Sequence, residues 1–221
     1  MPSNVRHQER TPPGTAVPRV LCVLAGSLLA VGTLGCANAA PFRGVDWTRE
    51  KSTPFVELTP VAQTNVQGCG YASLGAVAIY HGVAPERLRE EAIVRNFANR
   101  TLSAVDLVTM ANALGLIAFG YQGTEEDLRE NVTKGRPMLV LLSNRPRIGK
   151  FPSLDWSRDT AHALVGGAHW VVVVSTTPEG EFVLHDPSQG CLAMTPRAFL
   201  TSWKEEEMVC VLVSRPPKPA P

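Results

Sequence analysis

The sequence predicts an α+β domain in which helices from the first half pack on an antiparallel sheet built by the second half. Two observations carry this. Between residues 70 and 134 apolar residues recur at helical spacing, in segments bounded by Pro, Ser, Thr and Gly at capping positions. From Met138 onward they run instead in short unbroken blocks separated by turns, the pattern of strands covered on both faces.

Taken in order, residues 37–54 are polar and irregular and read as a linker, and Phe55 to Leu58 reads as a short strand ahead of Pro60. A first helix is expected over 70–80, with Ala72, Ala76 and Tyr80 along one face and Gly82 as terminator. A second runs over 85–96 with Pro85 at its start and mixed Glu and Arg outside. The third, over 103–114, opens with Ser103 and Asp106 three residues later and closes at Gly115. The fourth, over 124–134, has Thr124 as cap, then Glu125, Glu126 and Asp127 at its positive end, and Gly135 behind it. Strands follow over 138–142, 170–175, 181–185 and 191–194, then a short helix over 196–203 and a last strand over 208–213. The domain thus spans 55–214, and 215–221 reads as a disordered tail. Residues 143–168 make an unusually long connection leading directly to His169, which suits a substrate-covering loop.

The N-terminus has a different character. Arg6, Arg10 and Arg19 precede an uncharged apolar stretch over 20–35, too short for a spanning helix and typical of a signal peptide over 1–36. Two exits stay open. Leu34-Gly35-Cys36 resembles a lipoprotein box that would lipidate Cys36, and Ala37-Asn38-Ala39 offers ordinary cleavage before Ala40. Either way export from a bacterial cell is expected, to a periplasmic, membrane-anchored or secreted location, with membrane contact only through a lipid on Cys36. Removing 1–36 takes away three Arg and Glu9, so the remainder stays near neutral. That balance, with no basic stripe and no phosphate-binding Gly-rich loop, gives no sign of nucleic acid or nucleotide. No C-x-x-C or H-x-x-x-H spacing is present, so neither a metal nor another cofactor is expected.

An exported chain meets oxidising surroundings, and beyond the signal it carries Cys69, Cys191 and Cys210, an odd number. Cys191 and Cys210 are left either bridged or as two reduced thiols. Cys69 opens a helix, where the dipole and the unpaired N–H groups favour a thiolate. Gly70 lets the chain turn sharply and bring a backbone N–H towards a substrate carbonyl. Gln63, six residues earlier, can supply an amide donor to an oxyanion. His169 stands where a loop becomes a strand, and Asp186 ends the next strand, so an antiparallel pairing would bring the two face to face. His162 is a substitute base. His81, at a helix end, suits the dipole as a cation and needs no function. His185 points to the opposite face from Asp186, and Cys210 has a core address.

Gln63, Cys69-Gly70, His169 before an apolar strand and Asp186-Pro187 after the next strand together resemble the bacteriocin-processing peptidases, the papain-like cysteine peptidases that cut double-glycine leader peptides. The likeness runs from about Val56 to Val213. It implies a papain-like fold with Cys69 as nucleophile, His169 as base and acid, Asp186 as its orienting partner and Gln63 as oxyanion donor. The substrate it implies is a peptide cut after a Gly-Gly-type site. This chain departs in having Gly68 where the family often has Asp, and in having neither the membrane spans nor the ATPase of its best-known members. Its apparent export also contrasts with their cytoplasmic work. An exported, stand-alone peptidase is the leading expectation. An amidase or acyltransferase using the same thiol, or a non-catalytic peptide- or partner-binding module, are the alternatives.

Overall fold

The computed structural model describes residues 42–44, 54–143 and 167–217. The expected signal peptide with Cys36, His162, and most of the linker, the long loop and the tail lie outside the described residues. In chain order the elements are β1 (Phe42–Gly44), α1 (Cys69–Tyr80), α2 (Pro85–Arg95), α3 (Ala104–Ala113), β2 (Ile117–Gln122), α4 (Glu125–Thr133) and β3 (Met138–Ser143). They continue with β4 (Ala168–Thr176), β5 (Phe182–Asp186), β6 (Gly190–Met194), α5 (Pro196–Glu205) and β7 (Val209–Ser214).

Helix ends follow from local chemistry. Ser103 Oγ accepts the Asp106 amide at 3.2 Å while Asp106 Oδ2 accepts the Ser103 amide at 2.9 Å, closing a capping box on α3. Arg100 grips the same carboxylate with both guanidinium nitrogens, at 2.7 and 3.3 Å. Thr124 caps α4 by accepting the Asp127 amide at 3.1 Å. α2 starts with Pro85 and ends at Asn96 in the left-handed region, φ 53°.

The strands form one sheet in the order β1-β6-β5-β4-β3-β7-β2, and every neighbouring pair is antiparallel. Helices lie on both faces. α1, α2 and α3 bury their apolar sides against Leu139, Trp170, Val172, Val174, Val211 and Val213. α4 and α5 cover Met138, Val140, Val171, Val173, Phe182 and Leu184. Odd and even positions of β4 therefore feed different cores, which is why this strand is apolar throughout. On the α5 side Phe182 stacks on Phe199 with ring centroids 4.2 Å apart, and Phe199 in turn leans on Trp203.

Three expectations change. Residues 55–58 are not a strand, although the Val56 amide donates to Val174 O at 3.1 Å and Val56 and Leu58 are buried. The segment is an extended anchor rather than a member of the ladder. β2 escapes sequence reading because it is an edge strand with weak alternation, carrying Gly120 in its middle and Phe119 61% exposed. β1 lies inside the stretch read as linker and pairs with β6. The cysteine alternatives also resolve. Cys191 is on β6 and Cys210 on β7, with β5, β4 and β3 between them. Four strand spacings come to roughly 19 Å, far beyond disulfide reach. Cys69, Cys191 and Cys210 are all unbridged.

The capping box gives a clean test of the helical layer. Ser103→Ala is expected to lower stability by about 1 kcal/mol, read as an earlier urea midpoint with an unchanged slope.

Candidate active site

The chain reaches Cys69 through a braced turn. The Gly68 amide donates to Asn65 O at 3.1 Å, and the Gln67 amide donates to Asn65 Oδ1 at 2.9 Å. Asn65 Nδ2 donates to Ala98 O at 3.0 Å, tying the turn to the segment before α3. α1 then begins on Cys69 itself. Its N-cap, Gly68, offers no side-chain hydrogen bond, and its first turn holds no acidic residue. The positive end of the helix is thus left for the sulfur.

Trp170 bolts this helix to β4. Its carbonyl accepts Ser73 Oγ at 3.0 Å, and its indole N–H donates to Leu102 O at 2.8 Å. Gly70 lies directly against it. A Cβ on Gly70 would come within 3.0 Å of Leu102 Cβ and 3.2 Å of Trp170 Cδ1. The reason for glycine here therefore differs from the expected sharp turn, because Gly70 is helical and is needed for close approach of α1 to β4. Its amide points at Sγ, as does the amide of Trp170.

One residue before Trp170 stands His169, 3% exposed, whose Nε2–H donates to Asp186 Oδ2 at 3.0 Å. This leaves Nδ1 for Cys69, with which the ring also hydrogen-bonds. The register refines the face-to-face expectation. Val172 pairs with His185, so one further step sets Asp186 level with Val171. His169, two residues earlier on the same face, is its diagonal neighbour. Asp186 is 1% exposed and fully committed. Its Oδ1 accepts the Ser188 amide at 2.7 Å, Ser188 Oγ at 2.6 Å and the Gln189 amide at 3.1 Å. Gln63 sits between the two arms. Its backbone N–H donates to Pro187 O at 3.1 Å, and its Cβ lies 3.5 Å from where a Gly68 side chain would begin.

The electrostatics follow from this packing. Burial pushes the Cys69 thiol up, but the His169 hydrogen bond and charge, with the Trp170 and Gly70 amides, bring it below its ordinary value. Burial alone would lower His169, yet the Asp186 charge and hydrogen bond, helped by Cys69, raise it well above the usual range. Burial also pushes the Asp186 carboxyl up, and the His169 charge and bond with the Ser188 donors outweigh it and hold it low. All three shifts favour a thiolate beside an imidazolium over a carboxylate.

The structure thus gathers Cys69, Gly70, His169 and Asp186 at the end of the sheet where β4 begins and β5 ends, with Gln63 alongside. The remaining candidates do other things. His81 departs from the cationic role expected at a helix end. Burial lowers its pKa, and its Nε2 is 3.0 Å from Val213 O, so a neutral ring tethers α1 to β7. Cys210 is fully buried, bonds to Tyr121 O at 3.4 Å and has its pKa pushed up to about 12, the opposite of activation. His185 is buried on the face opposite Asp186, and among the described residues neither ring nitrogen finds a hydrogen-bond partner. Sequence reading missed Asn65, Trp170 and Ser188. Only Ser188 left a sign, because Asp-Pro-Ser is a turn in which the Asp side chain takes the following amides.

No family model and no curated protein matches the sequence. Solved structures do. A double glycine motif protease from an AMS/PCAT transporter, in complex with its leader peptide, aligns at 20% identity and TM-score 0.51, covering 75% of this chain and 96% of that one. The peptidase domain of Streptococcus ComA, a bifunctional ABC transporter involved in quorum sensing, aligns at 17% and 0.51, covering 73% and 99%. A C39-like peptidase from Bacillus anthracis aligns at 14% and 0.56, covering 75% and 98%. The chain has the α+β fold of these papain-like C39 domains.

Two variants probe this site. Gly70→Ala should push α1 away from Trp170, lowering stability by about 1–3 kcal/mol and slowing alkylation of Cys69 at acid pH, both measurable on the purified domain. His185→Leu should do the reverse for stability, adding about 1 kcal/mol near neutrality by removing unsatisfied buried nitrogens. The folded pKa of His185 is lowered by burial, so the unfolded chain takes up this proton first as pH falls. Stability therefore declines as pH drops below the ordinary histidine range. Urea unfolding at about pH 7 and about pH 5 should show a smaller decline in the variant.

Proposed function

We propose that the protein is an exported cysteine peptidase. The observation that carries the reading is the buried chain of contacts from Asp186 through His169 to Cys69, ending at the uncapped start of α1. The Cys69 thiolate attacks a peptide carbonyl carbon, and the carbonyl electron pair moves to oxygen. The Cys69 backbone N–H and the Gln63 side-chain amide hold that oxyanion. As it collapses, the C–N bond breaks and His169 gives its proton to the leaving amine, leaving a thioester on Cys69. Neutral His169 then takes a proton from water, which attacks the thioester. The acid product departs, and the proton returns the thiolate–imidazolium pair. Asp186 keeps the ring oriented and stabilises its charge throughout without taking the proton.

A peptide as substrate is supported by the leader peptide bound in the structurally similar transporter protease. Cleavage after Gly-Gly-type sites is supported by the same likeness, that protease being one of the double glycine motif. The exported location is supported by the basic and apolar N-terminus and its two cleavage patterns.

The test is the rate of Cys69 alkylation against pH. Because its thiol is shifted down and His169 up, the wild type should react well below the ordinary thiol range, and His169→Ala should lose that advantage. At about pH 6 the variant is expected to react roughly tenfold more slowly, because burial of the thiol is then no longer opposed by the His169 charge and hydrogen bond. Identical free-thiol behaviour in both proteins would sink the reading. Hydrolysis of a Gly-Gly-containing peptide by the wild type, absent in Cys69→Ala, tests the substrate class.

A further inference from the structure

The turn after β5 serves both arms of the site. Its Pro187 carbonyl holds the Gln63 backbone at 3.1 Å, while the next residue, Ser188, places its hydroxyl 2.6 Å and its amide 2.7 Å from Asp186 Oδ1. With the Gln189 amide at 3.1 Å, three donors converge on one carboxylate oxygen and leave the other to His169. A carboxylate can rotate about its last bond, and these donors fix the plane in which Oδ2 meets Nε2–H. Two of them are backbone amides set by the turn. The third, the Ser188 hydroxyl, is a side-chain choice on an exposed residue with little packing to lose. Its proton goes to a charged acceptor at short range, the stronger class of hydrogen bond.

We propose that Ser188 is a positioning residue: it locks the Asp186 carboxylate on His169 and keeps it ionised, acting on the chemistry only through that pair. This rests on the thiol-peptidase reading. Without the hydroxyl, Asp186 takes up a proton at higher pH, the imidazolium loses its partner, and the acid limb of Cys69 reactivity moves upward. The same loosening of the 186–189 turn reaches Gln63 through Pro187, so the effect falls on turnover rather than on peptide binding.

The experiment compares wild type, Ser188→Ala and Ser188→Thr in the full chain. The readouts are the pH profile of Cys69 alkylation, kcat and KM on the Gly-Gly-containing peptide, and the melting temperature. Ser188→Ala is expected to raise the midpoint of the acid limb and cut kcat by about tenfold, the scale of one charge-assisted hydrogen bond. KM should stay nearly fixed and the melting temperature should fall only by the few degrees that one lost hydrogen bond costs, and Ser188→Thr, which restores a hydroxyl, should recover the midpoint, kcat and melting temperature together. An unshifted acid limb in Ser188→Ala, or a Thr variant no better than Ala, overturns the proposal while leaving the peptidase reading intact. An ordinary free-thiol profile in the wild type overturns both.

Discussion

A carboxylate with almost no exposure to water sets the terms for this end of the molecule. Asp186 can remain ionised there only because three hydrogen bonds reach one oxygen and an imidazolium faces the other. To supply those partners β5 must stop where it does, the following turn must fold back on its first residue, and β4 must carry His169 near its start, one diagonal away. The central position of β4 and β5, with a helical layer on each face, gives the backbone rigidity that such an arrangement requires.

α1 complements this from the other side. A helix of ordinary stability would start with a capping side chain and an acidic first turn, as α3 and α4 do. α1 has neither, and its first amides go instead to the site. Its cohesion comes from elsewhere, from a run of small and apolar residues buried over two turns and from the bonds that Ser73, Trp170 and Leu102 make across the layers. Loss of a cap is thereby offset by tertiary packing.

Much of this was legible in the residues. Capping patterns at Ser103 and Thr124 located two helices nearly to the residue, because their chemistry is local. The unbroken apolar blocks foretold a covered sheet, and the order histidine, strand, turn, strand, aspartate foretold the pairing of His169 with Asp186. What escaped reading is what depends on distant partners. β2 exists because β7 offers an edge, and its own six residues say little. Gly70 looked like a turn residue, whereas its requirement comes from Leu102 and Trp170, both far away in sequence. His81 looked like a helix-end cation until the Val213 carbonyl supplied a partner for a neutral ring.

The unequal lengths of β4 and β5 have their own consequence. The last registered pair between them is Val172 with His185, so β4 projects beyond its neighbour and leaves a notch in the ladder beside Trp170. The Trp170 amide, left without a β5 partner, donates to the sulfur of Cys69 instead. Thiol and sheet thus compete for one main-chain donor. A β5 carried two positions further, to the level of Trp170, would compete with the sulfur for that donor.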